Sequence, residues 1–478
     1  GKAVLAGKTN YDMSGKKVLL VDDITETDMY DDAAISKTHF KWTLIAGIGD
    51  FLDAGMLAGT GITLLAIGTL LHFTTIEDGL PALITLLGAA FGALFFGRLG
   101  DKFGRKYIYQ IDMILYGVSA ILLAITGIFL SRIFNIIWAM IFYALVGIAV
   151  GADVPTSWSL ISEYSPKNYR GRLMSITTIM WYVGVLVELA VAILLYNTGM
   201  VLFRTIWIML GVIAFISWIL RRSLTESPRF DIMKGNKNDL ERSAKMLHIN
   251  INSGKKEKLR IRSYKELFKK YGYFMLLAWF LYLMWGIPAS TYGEFFPYIF
   301  SSIHIVSIRD TYAFEAIYFG SAIVPGLLIF YYLSDKIGRV PLYLTSAVMS
   351  ALSFFLLIYP PFLKNVYVLL TSFLLFGIGQ GLGVWPTTRL LSIEHFPTSL
   401  RNSGQGFVWF TMRFEAGIFG LFTPLIVSIG IVYIGWIAGT FFALAFIVVT
   451  LLYIFKPEYV KTERKSLEET SIDAPEEL

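Results

Sequence analysis

Cysteine is missing from all 478 residues. That excludes a disulfide framework, a thiol nucleophile and a thiolate metal site, and it removes redox chemistry as a guide to compartment. Charge is scarce too: Asp, Glu, Lys and Arg supply 16% of the chain against 55% hydrophobic residues, and mean hydropathy is +0.62. Soluble domains carry about 25% charged residues, so a water-soluble protein of two or three domains is excluded. The charge present leans basic, a net +6 with a pI near 9.1. It gathers in loops between apolar runs, which is the positive-inside pattern of a membrane protein and not a nucleic-acid surface. The first forty residues are polar and mixed in sign, with no basic stub leading into an apolar core, so the first span itself is expected to direct insertion.

What the chain has in abundance is long apolar runs, each able to cross roughly 30 Å of hydrocarbon at about 1.5 Å per residue. Twelve helices are expected, at about 42–72, 79–98, 107–130, 134–163, 173–196, 201–221, 271–300, 311–333, 340–360, 364–392, 405–430 and 431–455. Arg98, Lys102, Arg105 and Lys106 follow span 2, Lys167, Arg170 and Arg172 follow span 4, and Lys336 and Arg339 follow span 8. The opposite loops carry Glu77 and Asp78 or single charges such as Arg132 and Lys364. Both termini and the basic linker 222–270 are therefore expected in the cytoplasm, with the chain multi-pass in the cell membrane and monomeric.

Sliding the second half over the first reveals an internal repeat. Pro155, Thr156, Leu160, Glu163, Pro166 and Arg170 fall on Pro386, Thr387, Leu391, Glu394, Pro397 and Arg401 at one offset of 231 residues. Asp101-Lys102-Phe103-Gly104-Arg105 returns as Asp335-Lys336-Ile337-Gly338-Arg339, three residues further on. The expected fold class is thus an all-α membrane protein of twelve transmembrane helices in two six-helix repeats: a tail 1–40, a bundle 41–221, the linker 222–270, a second bundle 271–455 and a tail 456–478. Parallel repeats of this kind place cargo at their interface near mid-bilayer.

Gly97-Arg98-Leu99-Gly100-Asp101-Lys102-Phe103-Gly104-Arg105-Lys106 resembles the loop signature that the major facilitator superfamily carries between spans 2 and 3, with its weaker copy at Asp335 to Arg339. The resemblance covers roughly 40–470 and implies a transporter, not an enzyme, without cofactor or metal. It also implies an inner latch: Gly97, Asp101 and Arg105 with Glu163 and Arg172 as partners, and Asp335, Arg339, Glu394 and Arg401 as counterparts in the second half. Read without the family, these charges only anchor topology. Thr225-Glu226-Ser227-Pro228-Arg229, Glu394-His395-Phe396-Pro397-Thr398 and Pro457-Glu458 with Ser466-Leu467-Glu468-Glu469 are similar to the sugar-porter, phosphate and organic-acid branch. Gly151-Ala152-Asp153-Val154-Pro155 through Arg172 is similar to the fourth span of proton–phosphate symporters, and Asp50-Phe51-Leu52-Asp53 to the first span of phosphate and aromatic-acid symporters.

An ionisable side chain at mid-bilayer costs about 2.5–3.5 kcal/mol even on a lenient scale, so each needs a reason. Asp50 and Asp53 share one face of span 1. With Asp153 on span 4 and Arg413 on span 11 they are expected to converge at one depth. Asp50, Asp53 and Asp153 are the candidates to carry a coupling proton; the alternative is that they line an aqueous vestibule or pair structurally. Arg413 and Arg389 can offer a bidentate site to a phosphate or carboxylate; alternatively Arg413 pairs with Glu415, Asp50 or Asp53, and Arg389 snorkels. Glu188, Tyr282, Trp285 and Trp385 are further candidates for cargo contact, and Trp181, Trp279 and Tyr292 for its walls. Trp181 to Ala190 and Met284 to Glu294 lack the glutamines that sugar porters carry in spans 5 and 7, and Trp279-Phe280-Leu281 is not followed by the acid of phosphate symporters.

Gly15-Lys16-Lys17-Val18-Leu19-Leu20-Val21-Asp22-Asp23-Ile24-Thr25 resembles the phosphoribosyl-pyrophosphate loop of phosphoribosyltransferases. Glu26-Thr27-Asp28 stands where that family has a glycine-containing loop, so the segment is expected to be an appended fragment without function. The sequence leads to a secondary transporter working by alternating access, with a small-molecule substrate, protons and the bilayer as partners and no nucleic acid. Its cargo is expected to be a small anion, phosphate or carboxylate, in symport with protons. A sugar or other neutral-solute permease is the alternative, and a membrane-attached phosphoribosyltransferase-like or nucleotide-sensing protein the third.

Overall fold

The computed structural model describes residues 10–11, 17–18, 26–249, 264–303, 306–397 and 399–462. Most of the Gly15 to Thr25 motif, His304, Thr398 and Ser466 to Glu469 fall outside them. Lys17–Val18 pairs antiparallel with Asn10–Tyr11. The other elements among the described residues are helices.

Spans 1 to 6 are Lys37–Leu71, Leu80–Phe103, Arg105–Ala124, Arg132–Tyr164, Arg170–Leu195 and Met200–Arg221. Spans 7, 9, 11 and 12 are Gly272–Ser302, Arg339–Phe355, Arg401–Ile429 and Val432–Phe455. Spans 8 and 10 are each interrupted by a wide π turn. Span 8 joins Ile308–Ser321 to Tyr331–Ile337 through Pro325–Phe330, and span 10 joins Val366–Gly379 to Trp385–Glu394 through Gln380–Val384. Pro386 has no N–H to return to the preceding turn, which favours a widened coil just before it. Ten of these helices are long and apolar enough to cross a membrane. Span 8 reaches that length only in segments, and span 9 is a shorter apolar helix.

The boundaries moved for local reasons. Span 1 begins at Lys37 because Ser36 and His39 cap one another's ends of the first turn, ahead of the apolar run. Span 4 begins at Arg132, where the Ser131 hydroxyl accepts from the Phe134 N–H. The outer surface is apolar, as lipid requires: Ile208, Val212, Ile216 and Ile219 on span 6 and Leu444, Ile447, Leu451 and Ile454 on span 12 stand exposed at helical spacing.

The two halves meet along spans 1 and 7, 2 and 11, 4 and 10, and 5 and 8. Glycine lets these seams close at both ends. On the inner side, the side of the basic loops, a Cβ on Gly97 would stand 2.8 Å from the Asn402 carbonyl oxygen and 2.9 Å from Gly406. On the outer side, a Cβ on Gly61 would stand 2.6 Å from the Glu294 carbonyl oxygen. Both distances are too short for any other residue without movement, so the molecule is shut at both faces. Helices Glu26–Asp31, Pro228–Lys234 and Lys237–Leu247 tie into the inner face, where Tyr30 bonds to Ser243 and Asp31 pairs with Arg170 and Arg229.

Candidate transport site and inner gate

Where the halves meet at mid-depth, Leu57, Trp181 and Tyr182 face Trp285, Ser290, Tyr318, Phe319, Gln380, Trp385 and Arg413 around a cavity of about 20 Å³, room for about one water. Trp285 and Trp385 stack at 3.9 Å between centroids, and the Trp285 indole N–H donates to the Gln380 side-chain oxygen at 2.5 Å. Gln380 opens the π turn of span 10, and such turns re-aim side chains by adding a residue to the coil. The wall is therefore largely aromatic, with the Gln380 amide, the Ser290 hydroxyl, two tyrosines and the Arg413 guanidinium among the groups that line it.

Beside this cavity lie two ion pairs, each bridging the halves. Arg413 of span 11 donates to Asp53 at 2.7 Å, and Asp53 also accepts from the Trp181 indole at 2.9 Å. Arg389 of span 10 donates to Asp50 at 3.0 Å, to Thr177 at 2.6 Å and to Thr178 at 2.9 Å, and its guanidinium lies 3.7 Å above the Trp158 ring. Asp50 accepts from the Trp158 indole at 3.0 Å. All four charged groups are buried. A buried charge is tolerated when paired and hydrogen-bonded, and the balance here is one to one.

The four groups expected to converge do lie at similar depth, but Asp153 does not join the two pairs that bridge the halves. It bonds to Arg221 of span 6 at 2.5 Å, with Asp112 of span 3 on the same nitrogen at 3.4 Å and the Tyr109 ring 4.0 Å beneath. Its carboxylate packs where Gly49 would carry a Cβ. Gly49 and Asp50 are consecutive on span 1, hence about 100° apart around the helix, so Asp50 faces the other half while Gly49 faces back into its own bundle. Leaving a buried charge without any partner costs about 3–5 kcal/mol, and Asp112, which stays on Arg221, reduces that cost here. Asp153→Asn is therefore expected to lower the melting temperature of the purified protein by about 2–5 °C, read from tryptophan fluorescence, while gradient-driven uptake persists. Lost uptake at unchanged stability would contradict this placement.

The other candidates separate as well. Trp285, Trp385 and Arg413 line the cavity, but Glu188 does not: its carboxylate lies behind span 1 against Gly55 and Gly59. Tyr282 is fully buried and shares a hydrogen bond with Ser392 at 3.2 Å. Trp279 donates to Glu415, which leaves Arg413 to Asp53, and Tyr292 is packed among Phe296, Phe300 and Phe376. Gln380, Ser290, Tyr318 and Phe319 were not singled out by sequence. Gln380 was open to discovery as the glutamine in a glycine-rich stretch just before the repeated Pro386.

At the inner face the repeat becomes two reciprocal clusters. Glu163 accepts from Arg105 of its own half at 3.0 Å and from Arg401 of the other half at 2.8 Å, and from the Ser227 hydroxyl. Glu394 pairs with Arg339 of its own half and with Arg170 across the seam at 3.7 Å. Asp101 holds Arg105 at 3.1 Å and accepts from the Asn402 and Ser403 backbone N–H groups at 3.3 and 2.7 Å, capping the start of span 11. Arg172 is not the partner: it lies over Tyr169 and Tyr331, and Arg170 takes the expected place. Two residues along a helix turn about 200°, so only one of the two arginines can face Glu394, and the 231-residue offset from Arg401 already pointed to Arg170. The side chain of Asp335 lies outside the described residues.

The sugar (and other) transporter family model matches residues 31–473. The minor myo-inositol transporter IolF of Bacillus subtilis is 30% identical over 394 residues, 81% of this chain and 84% of that protein. The niacin transporter NiaP of Acinetobacter baylyi is 26% identical over 419 residues, 83% and 88% of the two. Among solved structures, the proton:xylose symporter XylE of E. coli superposes with a TM-score of 0.76 at 19% identity, covering 91% of this chain and 98% of that one. An all-helical bundle of twelve spans, a two-half repeat and a family model spanning nearly the whole length agree: the chain belongs to the sugar (and other) transporter family, on the sugar-porter branch of the major facilitator superfamily.

Proposed function

We propose that this transporter carries a cyclic polyol or monosaccharide, of which myo-inositol is the type, into the cell together with a proton. The observation that carries the reading is the charge balance at mid-depth. Arg413 and Arg389 are each matched by one aspartate, so the site holds no surplus positive charge for a phosphate. Apart from that paired arginine, the groups that line the cavity are a stacked indole pair, further aromatic rings including Tyr182 and Tyr318, an amide and a serine hydroxyl, which suits a ring with an apolar face and hydroxyl edges. The glutamines missing from spans 5 and 7 weaken this less than sequence suggested, because the amide arrives from span 10 at Gln380. IolF, named for myo-inositol, supports the same class.

In this mechanism Asp53 carries the proton. Arg413 and Trp181, both at the cavity wall, hold its carboxylate, so water entering the cavity from either side reaches it. Protonation removes the charge that ties span 1 to span 11 and frees the halves to rock; release on the inner side restores the pair. The basic loops on that side support reading it as the cytoplasmic one.

A second reading, symport of a ring carboxylate, is favoured by one observation: Arg413 lines the cavity and its Nε has no partner. Uptake into proteoliposomes under an acid-outside gradient separates the two, using labelled myo-inositol, xylose, nicotinate and phosphate. Uncoupler-sensitive accumulation of myo-inositol or xylose is expected; accumulation of nicotinate or phosphate alone would replace the first reading.

A further inference from the structure

At the cavity, the Gln380 side chain has only half of its hydrogen bonding complete. A side-chain amide carries an oxygen that accepts and a nitrogen that donates, whereas an indole N–H can only donate. The atom 2.5 Å from the Trp285 indole nitrogen must therefore be the amide oxygen, which settles which way the amide faces. The nitrogen at its other end, Nε2, is buried and has no partner among the described residues. A buried donor left unpaired is costly, so it asks for an acceptor, and the cavity that Gln380 lines is where one can arrive.

The amide is held from both sides. Behind it, the π turn of span 10 is pressed onto its neighbours through glycine: a Cβ on Gly379 would stand 2.8 Å from the Ser350 hydroxyl and one on Gly383 2.5 Å from the Leu342 carbonyl oxygen, both on span 9, and Gly381 lies against the Ala322 carbonyl of span 8. In front of it, Trp285 lies flat on Trp385, 3.9 Å between centroids and 17° between planes, which fixes where the indole N–H points. Turning the amide over would set donor against donor and lose the bond. The Ser290 hydroxyl on the same wall can donate or accept and imposes no such sense.

We propose that Gln380 selects cargo by the sense of one hydrogen bond: Nε2 donates to an oxygen on the cargo ring, and Trp285 is the positioning residue that keeps the amide from accepting there. One ring position is then read as an acceptor. A hydroxyl, ether or carbonyl oxygen satisfies it, and an ammonium group or a bare C–H does not. The inference rests on the cyclic-polyol reading above and sharpens it.

Proteoliposomes carrying the full chain are offered labelled myo-inositol, or xylose if that is the ring accumulated, in competition with its deoxy, deoxyfluoro and aminodeoxy analogues, the change walked around the ring. Fluorine keeps an acceptor, the protonated amine keeps only donors, and hydrogen keeps neither. At one position the parent is expected to bind the deoxy and amino analogues about tenfold or more weakly than the fluoro analogue. Q380L should bring the three together. W285F keeps a ring on Trp385 but frees the amide to turn, so it should recover the amino analogue at that position alone, which a general loss of packing would not do; either variant serves if the other fails to fold. A fluoro analogue as weak as the deoxy analogue at every position, a pattern unchanged in Q380L, or an amino analogue still rejected by W285F would overturn the inference while leaving the polyol reading standing. Uptake of neither ring would remove both.

Discussion

Asp53→Asn is expected to abolish uphill accumulation while leaving solute exchange measurable. Each pH unit of gradient is worth about 1.4 kcal/mol per proton, or tenfold in concentration. A two-unit gradient coupled one to one therefore sustains roughly 100-fold accumulation, and the variant should fall to equality across the membrane. Asparagine keeps an oxygen for the Trp181 indole and a partial acceptor for Arg413 but removes the titratable charge, so it resembles the protonated carrier permanently. Asp50→Asn is expected to do less. Arg389 retains the Thr177 and Thr178 hydroxyls and the face of Trp158, so it is not stranded, and Asp50 is not on the cavity wall. Accumulation that survives in Asp53→Asn and disappears in Asp50→Asn would move the proton one turn inward; accumulation surviving in both would end the aspartate mechanism.

Glu163→Gln should open the inner face. Its carboxylate is the common counter-ion of two buried guanidinium groups, Arg105 from one half and Arg401 from the other. Neutralising it leaves two positive groups close together, with Asp101 and Glu226 still bearing on Arg105. The loss of one partner from a buried pair costs about 3–5 kcal/mol, and opening relieves it by hydrating Arg401. A change of about 3 kcal/mol moves a two-state equilibrium by roughly 100-fold, enough to invert a closed majority. Labels at K102C and K336C, exposed inner positions on opposite halves, should then report a longer distance at every pH. Glu394→Gln should act in the same direction but more weakly, since its cross-seam contact to Arg170 is 3.7 Å and Arg170 is also held by Asp31. An unchanged distance distribution in Glu163→Gln would show that the charges fix topology and not conformation.

The inner clusters were readable in unusual detail because the chain is written twice. Glu163 with Arg401 and Glu394 with Arg170 are one contact and its copy, exchanged between halves, and the 231-residue offset names all four residues. The error at Arg172 came from matching a motif without turning the helix. Asp31 was missed for a different reason: it lies in a polar segment ahead of the first apolar run, where nothing in composition distinguishes a buried acid from a solvated one. Its partners Arg170 and Arg229 are more than a hundred residues away.

The amino-acid sequence by itself determined the membrane location, the twelve spans, the two-fold repeat and the identity of the ionisable residues inside the bilayer. Those follow from hydropathy, length and internal identity, all of which are properties of single segments. The tertiary structure alone decided which acid meets which arginine: Asp53 with Arg413, Asp50 with Arg389, and Asp153 with Arg221. Those pairings depend on how each helix is rotated about its axis and how one bundle is docked on the other, and the glycines that permit that docking work only against a particular neighbour's backbone. Depth can be counted along a chain; the direction in which a side chain points across an interface cannot.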